Sequence, residues 1–148
     1  MDIAFFYRCV HKNAKPPRKA TNGSWGFDVC ALTDVVVKPG EVKLIPTGLV
    51  VKKSFRHSMI AVVPRSSLGI KKGLIFPHSI GIIDDDYCSD SDELKVPVMN
   101  ITKNDVHIMK GERIAQIIPF KIVTGEAIEW ARPFSDTKRG GFGSTGAT

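Results

Sequence analysis

Short apolar runs and turn signals alternate along this chain at intervals of about 8 to 12 residues. The runs read "DIAFFYR", "FDVCAL", "VVVK", "EVKLIPTGLVVKK", "SMIAVVP", "GLIF", "SIGIID", "LKVPVMNIT", "DVHIM" and "RIAQIIPFKIV". They are rich in Val, Ile and Phe, the side chains that suit a pleated, half-buried surface. Pro39-Gly40, Thr47-Gly48, Lys72-Gly73, Lys103-Asn104-Asp105 and Lys110-Gly111 punctuate them. The pattern predicts an all-β sandwich or barrel. "RIAQIIPFKIV" has the apolar content of a helix, but Pro119 would remove a mid-helix hydrogen bond, and its β-branched residues favour a strand. One short helix is predicted after Pro64, through "RSSLGIKKG", with Ser66 or Ser67 as its cap and Gly73 as its stop. The last stretch, "SDTKRGGFGSTGAT" (135–148), has no periodicity and reads as a mobile tail. Neither an internal repeat nor a domain linker is evident.

Composition narrows the picture. The chain has 148 residues, 43% of them apolar and 24% charged, which suits one globular domain with one core. No run approaches the ~20 apolar residues of a membrane span, and "MDIAFFYRCVHK" does not read as a signal peptide. An intracellular, cytoplasmic protein without membrane contact is expected. Cys9, Cys30 and Cys88 are odd in number and lack CxxC spacing, so reduced thiols are expected rather than disulfides or a zinc site. The net charge of +6 suits nucleic acid or a small polyanion such as a nucleotide. The densest basic run, "RCVHKNAKPPRK", has no aromatic and two prolines. It reads as a solvated loop, and no nucleic acid is expected.

Several segments carry candidate chemistry. "PRSSLGIKKG" places Arg65 and two hydroxyls where a helix would begin, a setting that suits phosphate as well as a plain capped turn. "RGGFGSTG", Arg139 to Gly146, sets Phe142 among glycines, with an arginine before and hydroxyls after: a ligand-closing arm or a disordered end. "GIIDDDYCSDSDEL" packs six carboxylates between Asp84 and Glu93. "GIID" reads as a buried strand delivering Asp84 to its end, where a carboxylate can orient a water and take its proton. Asp90, Asp92 and Glu93 read as a solvated acidic tip. A calcium loop is disfavoured, because the sixth-position glycine and twelfth-position glutamate are missing. "GFDVCA" and "GERIAQ" put Asp28, Arg113 and Gln116 inside strands, where such groups are most often satisfied structural pairs. No Ser-His-Asp or Cys-His arrangement is evident, and His11, His57, His78 and His107 show no metal-ligand spacing.

In order, "GFDVCA", "PRSSLGIKKG", "GIIDDDY", "GERIAQIIPF" and "RGGFGSTG" resemble the five motifs of the trimeric dUTPase family, over residues 26 to 146. The resemblance implies hydrolysis of dUTP to dUMP and pyrophosphate, which limits uracil incorporation into DNA and supplies dUMP for dTTP synthesis. It implies a distorted jelly-roll or β-barrel subunit with one short helix, residues 1–134, and a flexible arm, residues 135–148. It also implies a homotrimer with sites at subunit interfaces. By the same resemblance Asp84 deprotonates the water that attacks the α-phosphorus, and Tyr87 packs on the sugar and leaves no room for a 2′-hydroxyl. Gly81 and Ile83 present backbone to uracil, with His78 also at the substrate. Arg65, Ser66, Ser67 and Gln116 lie at the phosphates. Phe142 covers the base, with Gly143 also at the substrate, and Lys138 or Arg139 meets the γ-phosphate. Asp28 holds Mg²⁺ through water while the triphosphate supplies the inner ligands.

Three features depart from the family. Ser66-Ser67 stands where it usually has Ser-Gly, as in the related dCTP deaminases. Arg139 precedes Phe142 by three positions rather than five. "CSDSDEL" replaces a shorter, basic hairpin after Tyr87. The alternatives are a deaminase of the same fold acting on dCTP and a nucleotide-gated interaction protein that meets a protein partner through the acidic residues 88–94. The retained tyrosine of "GIIDDDY" favours the dUTPase reading.

Overall fold

The computed structural model describes residues 3–132 of the chain. Eleven strands and one helix follow in the order β1 (Phe5–Cys9), β2 (Phe27–Cys30), β3 (Val35–Val37), β4 (Val42–Pro46), β5 (Leu49–Lys53), β6 (Ser58–Pro64), α1 (Ser66–Lys72), β7 (Leu74–Ile75), β8 (Gly81–Ile83), β9 (Lys95–Asn100), β10 (Val106–Ile108) and β11 (Arg113–Lys121). The predicted all-β class and single short helix are therefore present. The barrel is not closed among the described residues: strands sort into sheets β2-β11-β6-β8, β4-β9-β7, β1-β5 and β10-β3. Many strands span only a few residues, too short to carry pairing continuously around a barrel.

"EVKLIPTGLVVKK" forms two strands, split at Thr47-Gly48. Gly48 has φ +68°, and a Cβ there would lie 2.8 Å from Ala14 Cβ; only glycine meets both conditions. Pro119 sits in β11 opposite Ile60 of β6, beyond Ile117, the last residue paired with β2. That stretch is paired on one side only, where a strand tolerates proline. "GLIF" contributes only the two residues of β7.

Helix α1 follows Arg65, which is its N-cap and has extended backbone, without a side-chain cap bond. Neither serine caps it, contrary to the sequence reading, because the turn begins one residue earlier and Ser66 is already helical. Gly73 ends it as predicted, with φ 65° and its N–H donating to Gly69 O at 2.9 Å. The core gathers Ile45, Leu49, Ile60, Leu74, Ile108, Ile114 and Ile117, all fully buried. The amide of Asn100 is fully buried with them. Asn100 donates to Val37 O and Asn104 O and accepts from Thr102 N and Oγ1, each at 2.8 Å.

Two products of this frame matter for chemistry. Strand β11 lies between β2 and β6, so Gln116 stands directly opposite Asp28. Strand β8 pairs with β6 at the sheet edge, Gly81 opposite Val62 and Ile83 opposite Ile60, so Asp84 emerges where pairing stops.

Candidate active site

The carboxylate of Asp28 is only 4% exposed and anchors a polar cluster. Arg65 Nε lies 3.1 Å from Oδ1, Gln116 Nε2 donates to the same oxygen at 3.2 Å, and Arg113 donates to Oδ2 at 3.0 Å. Cross-strand pairing brings Gln116 to Asp28, and Arg65 arrives from the end of β6. Arg113 needs a further device. Residues three apart in a regular strand face opposite sides, but the β11 register shifts between Arg113 and Ala115. The bulge turns Arg113 onto the face that Gln116 already occupies. Asp28 and Arg113 are thus the satisfied pair expected from sequence. Beside them runs a cleft of about 330 Å³ lined by Arg65, Ser67, Lys71, Lys72, Glu112 and Arg113. Four of its cations face one carboxylate, and Lys72 holds that carboxylate, Glu112, at 2.7 Å. The cleft suits a polyanion. Ser67, the departure from the family pattern, contributes to its wall.

A second cleft, about 510 Å³, opens beside β8. His78, Gly81, Ile83, Asp84 and Tyr87 line it, as does Lys95, so five residues singled out from sequence meet there. Most of its remaining wall is aliphatic, including Leu44, Val62 and Leu94. The imidazole of His78 stacks on Phe76, ring centroids 5.8 Å apart. The buried strand expected at "GIID" is half-open instead: β8 is an edge strand, and Ile82 and Asp84 are exposed. Asp84's carboxylate has no hydrogen bond or ion pair among the described residues. Among the described residues none lines both clefts.

The acids after Asp84 are not merely a solvated tip. Asp85 pairs with Lys53 at 2.5 Å, and Asp90 accepts from Arg8 at 2.6 Å. Asp92 accepts from Ser89 N at 2.8 Å, and the Ser89 hydroxyl and amide together hold its carboxyl below the usual carboxylate range. Glu93 reaches back to the β4–β5 turn, accepting from Thr47 N at 3.1 Å and Gly48 N at 2.8 Å. The local composition showed charge but not these distant partners.

Sequence reading missed Arg113, Lys71 and Lys72 as parts of the anion cleft. Their strand and helix positions were visible, but their convergence depends on the bulge and on how α1 docks. Lys138, Arg139, Phe142 and Gly143 lie outside the described residues. Among the described residues no cluster of three His, Cys, Asp or Glu side chains could hold a metal ion, and no helix is long and apolar enough to cross a membrane.

A β-rich frame that carries a largely aliphatic cleft with a carboxylate unpartnered among the described residues, and a separate basic cleft, defines a class: an enzyme scaffold for an organic polyanion such as a nucleotide. The chain belongs to the dUTPase family, whose family model matches residues 12–146. It is 40% identical over 139 residues to the deoxyuridine 5'-triphosphate nucleotidohydrolase of Nautilia profundicola, covering 93% of this chain and 94% of that one. The nucleotidohydrolase of the same name from Lactococcus lactis is 38% identical over 146 residues, covering 93% of each. Among solved structures, the Staphylococcus bacteriophage 80alpha dUTPase with dUPNHPP superposes with TM-score 0.83 at 25% identity, covering 97% of this chain and 99% of that one. The dUTPase of Streptococcus mutans shares the fold at TM-score 0.73 and 23% identity, covering 82% and 98%.

Proposed function

We propose that the two clefts are the base-and-sugar half and the phosphate half of a dUTP-hydrolysing site. The chain is a dUTP diphosphatase, a hydrolase of nucleotide metabolism that converts dUTP to dUMP and pyrophosphate. Asp84 is the general base: it orients a water against the α-phosphorus and takes its proton as the new P–O bond forms and pyrophosphate leaves. The observation that carries this is Asp84's carboxylate, unpartnered among the described residues, on the wall of the cleft that Tyr87 also lines.

Tyr87 walls the sugar, so that a 2′-hydroxyl finds no space. Gly81 and Ile83 turn backbone groups toward uracil, with His78 alongside. Gly81 supports this by its lack of a side chain: a Cβ would sit 3.3 Å from both His78 Nε2 and Val62 Cβ. Arg65, Ser66, Ser67 and Gln116 receive the phosphates. Arg65 is pre-oriented by Asp28, so little side-chain freedom is lost on binding.

The donor set suits Mg²⁺ carried in on the triphosphate rather than caged by protein. Among the described residues Asp28 is a lone carboxylate whose Oδ2 takes one bond, from Arg113, and Mg²⁺ commonly keeps its waters and is held by one or two carboxylates plus phosphate oxygens. Asp28 would hold it through water, and the ion would supply charge neutralisation on the phosphate oxygens.

Separate clefts without a shared lining residue support a site completed between copies, in a homotrimer. Residues 1–134 form the β-domain and residues 135–148 an arm, whose Phe142 covers the base, with Gly143 also at the substrate, and whose Lys138 or Arg139 meets the γ-phosphate. A cytoplasmic location fits this substrate. The test is product analysis with Mg²⁺. Release of pyrophosphate and dUMP from dUTP, with no ammonia from dCTP, is expected; ammonia from dCTP without pyrophosphate from dUTP would replace this reading with a deaminase.

A further inference from the structure

We infer that Glu93, within the acidic segment after Tyr87, is a positioning residue that sets the discrimination between deoxyribose and ribose by fixing the tyrosine ring. This rests on the reading of Tyr87 as the sugar wall. Such a wall works only if the ring stays put to within less than the width of a hydroxyl group, yet Tyr87 lies in a loop and is 44% exposed. Its phenol end has one anchor among the described residues, donating to the backbone carbonyl of Glu93 at 3.0 Å.

That carbonyl is itself held by the side chain of the same residue. Glu93 Oε1 accepts both Thr47 N at 3.1 Å and Gly48 N at 2.8 Å, and Thr47 is buried. The next residue is clamped to the same turn, since Thr47 Oγ1 donates to Leu94 O at 2.6 Å. The chain of contacts therefore runs from the sugar-facing ring through its hydroxyl to Glu93, and from Glu93 into the buried β4–β5 turn. Buried N–H groups that have lost their acceptor must find another, so removing the carboxylate makes the turn and the Glu93 backbone shift relative to each other. The ring then moves with its anchor. Among the described residues only one oxygen, Oε1, is used, so the role needs an acceptor and not a charge.

The experiment measures kcat/KM for dUTP and for UTP, with thermal unfolding recorded for each variant. In Glu93→Ala and in Tyr87→Phe, which deletes only the anchoring hydroxyl, the preference for dUTP over UTP is expected to fall by about tenfold, the scale on which one misplaced contact alters discrimination. Glu93→Gln keeps Oε1 and is expected to retain the preference. A merely structural Glu93 would lower the melting temperature of Glu93→Ala and leave the preference at the wild-type value, which overturns the inference. Should Glu93→Ala fail to fold, Tyr87→Phe decides alone, and an unchanged preference there overturns it. Tyr87→Ala separates the two layers. If it abolishes the preference while Glu93→Ala and Tyr87→Phe leave it intact, only the role of Glu93 falls; if Tyr87→Ala also leaves it intact, the sugar-wall reading falls as well.

Discussion

Gly26 gives the sharpest handle on the proposed phosphate half of the site. It is buried just before β2, and a Cβ there would stand 3.0 Å from Gln116 Cδ, 3.1 Å from its Cβ and 3.2 Å from its Oε1. Gly26 is not among the positive-φ glycines, so alanine meets no backbone strain and acts through this contact alone. Gln116 must yield by a few tenths of an ångström, while its bond to Asp28 is already 3.2 Å long, near the outer limit of a hydrogen bond. A hydrogen bond to a charged group contributes about 1.5–3 kcal/mol. Loss of the lower part of that range should reduce kcat/KM for dUTP by about tenfold, and melting should fall by about 3–6 °C. Coupled pyrophosphate release and a thermal melt measure both. Gly26→Ala should cost less in a Gln116→Ala background than alone, because only the contact with Cβ at 3.1 Å remains there. Wild-type kcat/KM in Gly26→Ala, or full additivity with Gln116→Ala, would refute the claim that Gly26 makes room for a catalytically useful Gln116.

Asn100→Ala removes a fully buried side chain with four hydrogen bonds; about 3 kcal/mol or more of stability should be lost, read as a lower urea midpoint. Burial pushes the Cys30 thiol above its ordinary value, against the nearby Lys15 charge that pulls it down. Its alkylation by iodoacetamide should therefore lag behind that of exposed Cys9. The sign of the linked stability follows: the unfolded thiol ionises first, so this contribution is present below the ordinary thiol pKa and is lost as pH rises through the raised one. Urea midpoints across that interval should fall less in Cys30→Ser than in the wild type.

The sequence was most informative where one physical rule acts locally. Val and Ile runs broken by Gly and Pro marked the strands, Gly73 marked the helix stop, and Pro119 argued for a strand where apolar content alone suggested a helix. Asp84, Tyr87, Gly81, Ile83 and His78 are close in sequence and came together in one cleft because β8 and the turns flanking it are short. What could not be read depends on register and distance. The bulge in β11 that swings Arg113 beside Gln116 follows from how β2 and β11 pair, not from "GERIAQ" itself. Glu93 looked like one more surface acid because its partners, Thr47 and Gly48, lie on another hairpin. Ser66 seemed a good cap, yet it is already helical because the turn begins at Arg65. The openness of β8 was hidden because an isoleucine-rich strand reads the same at a sheet edge as at its centre.

Asp84→Asn tests the central claim most directly, since it keeps the size of the side chain and removes the proposed base. With Mg²⁺ present, calorimetry should show dUTP binding within a fewfold of the wild type, while pyrophosphate release falls by at least about a hundredfold, the usual contribution of a positioned base. Turnover of dUTP at the wild-type rate by Asp84→Asn would contradict the account.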